Sequence, residues 1–83
     1  MFIAGNKIKF YREMFDLTQD ELGTKINKNK QYISKIETKE VNVSITLALE
    51  IVSAIKELTK EKTFGLQTVN LHVEDVFYLK KAW

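Results

Sequence analysis

Eighty-three residues, 45% hydrophobic and 29% charged, make one small folded domain, neither a disordered chain nor a membrane span. The lack of cysteine excludes a disulfide framework and a thiolate metal site, no signal-peptide pattern opens the chain, and a cytoplasmic location fits. Net charge is only +2, but residues 25–39 hold five lysines against Glu37 alone, a local +4 that suits a polyanion on one face. On charge alone, a solvated helix is the better explanation of that patch.

In chain order, Ile8, Tyr11 and Phe15 recur at helical spacing and predict a first helix over Gly5 to Phe15, with Asp16 leaving it. Thr18 and Glu21 form a T-x-x-E capping box that opens a second helix, whose Leu22 and Ile26 face inward. Asn27 is a left-handed exit residue. After a gap of two or three residues, Asn29 caps a third helix, Lys30 to Glu37, with Ile33 and Ile36 buried. A loop, "TKEVNV", leads to Ser44, the cap of a fourth helix. Its inner face is Leu47, Ile51, Ala54, Ile55 and Leu58, and it runs to about Lys62. Gly65 breaks it, and "LQTVNLH" reads as extended. The stretch "VEDVFYLKK" reads as a last short helix, with acids in its first turn and lysines at its end. The fold class is therefore all-α. The helix, tight turn and helix over residues 19–37 have the arrangement of a helix-turn-helix, whose second helix can enter the DNA major groove.

The run "LTQDELGTKINKNKQYISKIE" strongly resembles the Cro/cI-type, or xenobiotic-response-element, helix-turn-helix family. Leu17, Thr18, Gln19, Glu21, Leu22, Ile26, Ile33, Ser34, Ile36 and Glu37 match its pattern in place. Asn42, Ser44, Leu49, Ile51 and Ala54 continue the match, Ile8 and Arg12 fit its first helix, and "VEDVF" resembles its fifth. The resemblance implies a compact bundle of about five short helices, a lambda-repressor-like DNA-binding domain. Residues 1–83 then divide into a core over 5–56, a non-helical insert over about 57–71, and a C-terminal helix and tail over 72–83. Several positions depart from the pattern. Gly23 replaces an alanine at the helix crossing, Asn27 a glycine, Lys28 an apolar turn residue and Val43 a proline. Thr38-Lys39-Glu40-Val41 replaces a more basic loop.

The resemblance gives the exposed side of the third helix its roles. Gln31 can bond an adenine edge with a donor and an acceptor, and Lys30 and Lys35 can reach guanine or a phosphate. Gln19 is expected on a phosphate. Asn29 caps the third helix and can also touch phosphate. Tyr32 can meet the backbone or cover the core edge. Lys28, Thr38, Lys39 and Asn42 surround the helix ends as further phosphate candidates. Arg12 and Glu37 are expected to form an internal ion pair that orients the first and third helices. Phe77, Tyr78 and Trp83 are the candidates for a dimer contact, with core packing as the default for Phe77. His72 is the only histidine, so metal and nucleophile constellations are hard to build and no enzyme, metal or cofactor is expected. No small-molecule ligand is evident. The expected partners are double-stranded DNA and a second copy, for a transcriptional repressor on a pseudo-palindromic operator. The alternatives are an antitoxin with a toxin partner, and a protein-interaction module that has lost DNA binding.

Overall fold

A computed structural model describes residues 2–66 and 70–80, with the backbone alone for 2–4 and 78–80. Its elements in chain order are β1 (Phe2–Asn6), α1 (Ile8–Met14), α2 (Gln19–Lys25), α3 (Lys30–Glu37), α4 (Ile45–Lys62), α5 (Val73–Val76) and β2 (Phe77–Lys80). Five helices surround one core, as the sequence predicts, and a two-stranded antiparallel ribbon is added to them. Among the described residues, no helix is long and apolar enough to cross a membrane.

The capping chemistry sets where the helices begin. Thr18 Oγ1 accepts from the Glu21 N–H at 3.0 Å, and Glu21 Oε1 accepts from the Thr18 N–H at 2.9 Å, closing the predicted box. Asn29 Oδ1 and Ser44 Oγ accept from the N–H groups of Tyr32 and Leu47 at 2.8 and 3.0 Å. The four longer helices end alike, on Asp16, Asn27, Lys39 and Phe64, each with φ between 54° and 64°. In each case the next residue's N–H returns to a carbonyl five positions back, as in Leu17 to Arg12 at 2.8 Å and Glu40 to Lys35 at 2.7 Å. These are Schellman closures built without glycine at the left-handed position.

The ribbon revises both ends of the sequence reading. Residues 2–6 pair with 77–80 in the register Phe2↔Lys80, Ile3↔Leu79, Gly5↔Tyr78 and Asn6↔Phe77, with an irregularity between Ile3 and Gly5. Helix α1 therefore starts at Ile8, not Gly5. The Ile8 N–H donates to Asn6 Oδ1 at 3.2 Å in an Asx turn, and Lys7 N–H joins the ribbon by donating to the Val76 carbonyl at 2.6 Å. The last helix stops after one turn at Val76, and "FYLK" continues as β2. Helix α4 runs to Lys62, so residues 57–62 of the expected insert are helical. Leu58 and Thr59, within that extension, are buried, and the Thr59 hydroxyl donates to the Ile55 carbonyl at 2.8 Å. Part of "LQTVNLH" lies outside the described residues.

The core joins every layer: Ile8 from α1, Leu22 from α2, Ile33 and Ile36 from α3, Ile51 and Ile55 from α4, and Val76 and Phe77 from the closing segment. Burying each such side chain contributes roughly 2 kcal/mol. Because Ile33 and Ile36 are fully buried, the opposite side of α3 must face outward.

Candidate nucleic-acid interface

The turn between α2 and α3 is closed by backbone. Lys28 and Ile26 N–H groups donate to the Gly23 carbonyl at 2.7 and 3.1 Å, and Asn27 donates to Thr24 at 3.2 Å. A Cβ placed on Gly23 would lie 2.9 Å from the Lys28 carbonyl oxygen and 3.0 Å from the Asn29 carbonyl. The glycine is thus required by the tightness of this turn. It costs α2 about 1 kcal/mol of helix propensity and in return lets α3 approach.

Outward from that turn, Lys30, Gln31 and Lys35 are all exposed. No ion pair, side-chain hydrogen bond or ring contact within the chain engages any of the three, among the described residues. Their hydrogen-bonding groups are therefore open to an external ligand. Tyr32, half-buried, packs its ring on the core edge, and Lys28 Nζ sits 5.1 Å from the ring centroid. Thr38, Lys39 and Asn42 are exposed at the other end of α3. The Thr38 hydroxyl is already engaged, 2.6 Å from Glu40 Oε2 and 3.0 Å from the Ser34 carbonyl. Asn29 uses its side-chain oxygen as the cap, leaving its NH2 group for another acceptor.

Behind the face lies a polar lock. Arg12 Nε donates to Glu37 Oε2 at 2.9 Å and Arg12 Nη2 donates to Glu37 Oε1 at 3.4 Å. The two side chains are only 12% and 6% exposed. Arg12 Nη1 also donates to the Leu17 carbonyl at 3.0 Å, so one guanidinium ties α1 to the α1–α2 corner and to α3. Gln19, expected on a phosphate, gives one amide N–H to Glu37 Oε1 at 2.9 Å and keeps its second for an outside acceptor. Asn6 completes the lock by donating to the Ile36 carbonyl at 2.9 Å. The sequence reading missed Asn6. The signal was present, an asparagine two residues before the first periodic apolar residue, where its side chain can accept from the backbone two residues on in an Asx turn.

Lys25 leaves the patch. It lies on α2 with its ammonium 2.6 Å from Glu61 and 3.5 Å from Glu57, both on α4. The hydrogen bond to Glu61 holds its pKa above the ordinary lysine value. Lys62 similarly meets Glu21 Oε1 at 2.9 Å and the Asp16 carbonyl. The Thr18 N–H first, and Lys62 second, hold the Glu21 carboxyl below its ordinary value.

The dimer expectation is corrected at Phe77. The residue is 2% exposed and packs inside the chain's own core. The Tyr78 side chain and Trp83 lie outside the described residues.

A helix-turn-helix family model matches residues 8–60, which covers α1 to α3 and most of α4. The chain belongs to the Cro/cI-type helix-turn-helix family. An uncharacterized HTH-type transcriptional regulator of Methanocaldococcus jannaschii is 33% identical over 72 residues, 87% of this chain and 88% of that protein. The helix-turn-helix family is one of DNA-binding transcriptional regulators, and at that level the chain's activity follows: it binds DNA. In helix-turn-helix terms α3 is the recognition helix, and its polar side is the open row described above.

Proposed function

We propose that the chain is a sequence-specific transcriptional repressor, acting as a homodimer that lays α3 of each copy in successive major grooves of a pseudo-palindromic operator. One observation carries this reading. Lys30, Gln31 and Lys35 form an exposed row with no competing partner among the described residues, on a helix fixed from behind by Ile33, Ile36 and the Arg12–Glu37 pair. The related archaeal protein, described as a transcriptional regulator, supports the regulatory role.

In this reading Gln31 pairs with an adenine edge, where its amide matches N6 and N7. Lys30 reaches a guanine edge, and Lys35 a base or the adjoining phosphate. Lys28, Asn29, Lys39, Asn42 and the spare N–H of Gln19 fix the register on phosphates, with Tyr32 and Thr38 beside them. Two copies set the half-sites about 34 Å apart, one helical turn. The dimer contact uses the insert or the tail, with the Tyr78 side chain and Trp83, outside the described residues, as the tail's candidates, and repression follows from excluding polymerase at an overlapping site.

Selection of bound duplexes from a random pool tests the proposal. The expected product is an inverted repeat with half-site centres one helical turn apart. A single unrepeated site would remove the dimer, and no enrichment would remove sequence specificity.

A further inference from the structure

Lys28 and Gly23 both depart from the usual residues of this turn, and the structure ties the two departures together. In the Schellman closure after α2, Lys28 stands just past the left-handed Asn27, and Gly23 supplies the carbonyl that accepts from Lys28 N–H at 2.7 Å. A closure of this kind is usually accompanied by an apolar contact between those same two positions. Here one of them has no side chain, and the other is a lysine. The carbonyl of Lys28 occupies the space a Gly23 side chain would need, only 2.9 Å from its Cβ position. The Lys28 side chain is therefore released from the core. It turns outward along α3, and its ammonium stops 5.1 Å from the centroid of Tyr32.

Tyr32 is itself held. Its N–H is bound by the Asn29 cap at 2.8 Å, and its half-buried ring packs on the core edge. The ring is thus a fixed platform under the Lys28 ammonium, next in sequence to the open row of Lys30 and Gln31. An ammonium over an aromatic face is attracted by the ring's negative quadrupole and keeps its outer hydrogens free. A lysine side chain otherwise loses much rotamer freedom when it binds.

Resting on the DNA-binding reading, we propose that Tyr32 is a positioning residue that holds the Lys28 ammonium ready for a DNA phosphate at the N-terminal edge of α3. The aromatic face performs this role. The hydroxyl does not. Because the contact is to a phosphate, it acts on any sequence and a random-sequence duplex reads it.

The test measures affinity of the full chain for that duplex, with Tyr32→Phe, Tyr32→Leu, Lys28→Met and the Tyr32→Leu/Lys28→Met double variant. Tyr32→Phe keeps wild-type affinity. Tyr32→Leu, which retains apolar packing, loses roughly two- to fivefold. Lys28→Met lowers the salt slope by about 0.9, and in its presence Tyr32→Leu has no further effect. In the free protein, the Lys28 ε-methylene NMR signal is shifted upfield by the ring in wild type and Tyr32→Phe, and returns to its ordinary position in Tyr32→Leu. That signal decides the matter even for a variant that binds weakly because it is less stable. An equal loss in Tyr32→Phe and Tyr32→Leu would assign the contact to the hydroxyl and overturn the proposal. So would an undiminished effect of Tyr32→Leu in the Lys28→Met background, or no upfield shift in wild type. Failure of the wild-type chain to bind any duplex is a different result. It would remove the DNA reading together with this one.

Discussion

Lys30 and Lys35 of α3, and Lys25 of α2 with Lys62 of α4, are the same residue in two electrostatic situations. Lys30 and Lys35 project from α3 with no acid within the chain to meet them, among the described residues. Lys25 and Lys62 are met at 2.6 and 2.9 Å by Glu61 and Glu21. A paired lysine must give up its carboxylate before it can neutralise a phosphate. An open one gives up only water. The basic character of residues 25–39 is therefore smaller than a charge count suggests, but better directed. Four of the five lysines there stay on the α3 side, and the fifth holds α2 to α4.

The largest expected effect comes from the lock behind the open face. Glu37→Ala leaves the Arg12 guanidinium buried without its carboxylate, and chemical denaturation should show a loss of about 3–5 kcal/mol. A loss under about 1 kcal/mol would mean the pair is solvated and does not set the angle of α3. Next, Gln31→Ala on the selected operator should cost about 1–3 kcal/mol of binding and relax preference at one base position. Equal weakening on every sequence would move Gln31 to the phosphates. The smallest effect belongs to the paired set. Glu21 has a lowered pKa in the fold, so its contribution is present above its ordinary value of 4.5 and lost as pH falls through and below it. Lys62→Met removes one cause of that lowering. It should flatten the acid side of the melting-temperature profile, costing at most about 1 kcal/mol at neutral pH. An unchanged acid profile would leave Thr18, chiefly through its N–H, as the cause that matters.

What the sequence revealed about this comparison depends on distance along the chain. Thr18 with Glu21, Asn29 with Tyr32, and Ser44 with Leu47 are caps three residues long, and each signals itself locally. The left-handed Asn27 is equally local, because a short polar side chain tolerates positive φ. Arg12 and Glu37 stand 25 residues apart, and only the resemblance brought them together. Nothing local joins Lys25 to Glu61, 36 residues on, so the loss of that lysine from the open face was invisible. The ribbon is the extreme case, since its strands come from opposite ends of the chain. The stretch "VEDVFYLKK" carries a helix's charge order, acids first and lysines last. Pairing with β1 nevertheless takes it into a strand after one turn, with Phe77 in the core. Tertiary pairing overrode local preference there.

The division between open and paired lysines is tested most directly by the salt dependence of DNA binding. Lys35→Ala and Lys39→Ala should each lower the slope of log affinity against log salt by about one unit. Lys25→Ala, measured on the same duplex, should leave it unchanged. A slope that falls as much for Lys25→Ala as for the two α3-side variants would contradict the account.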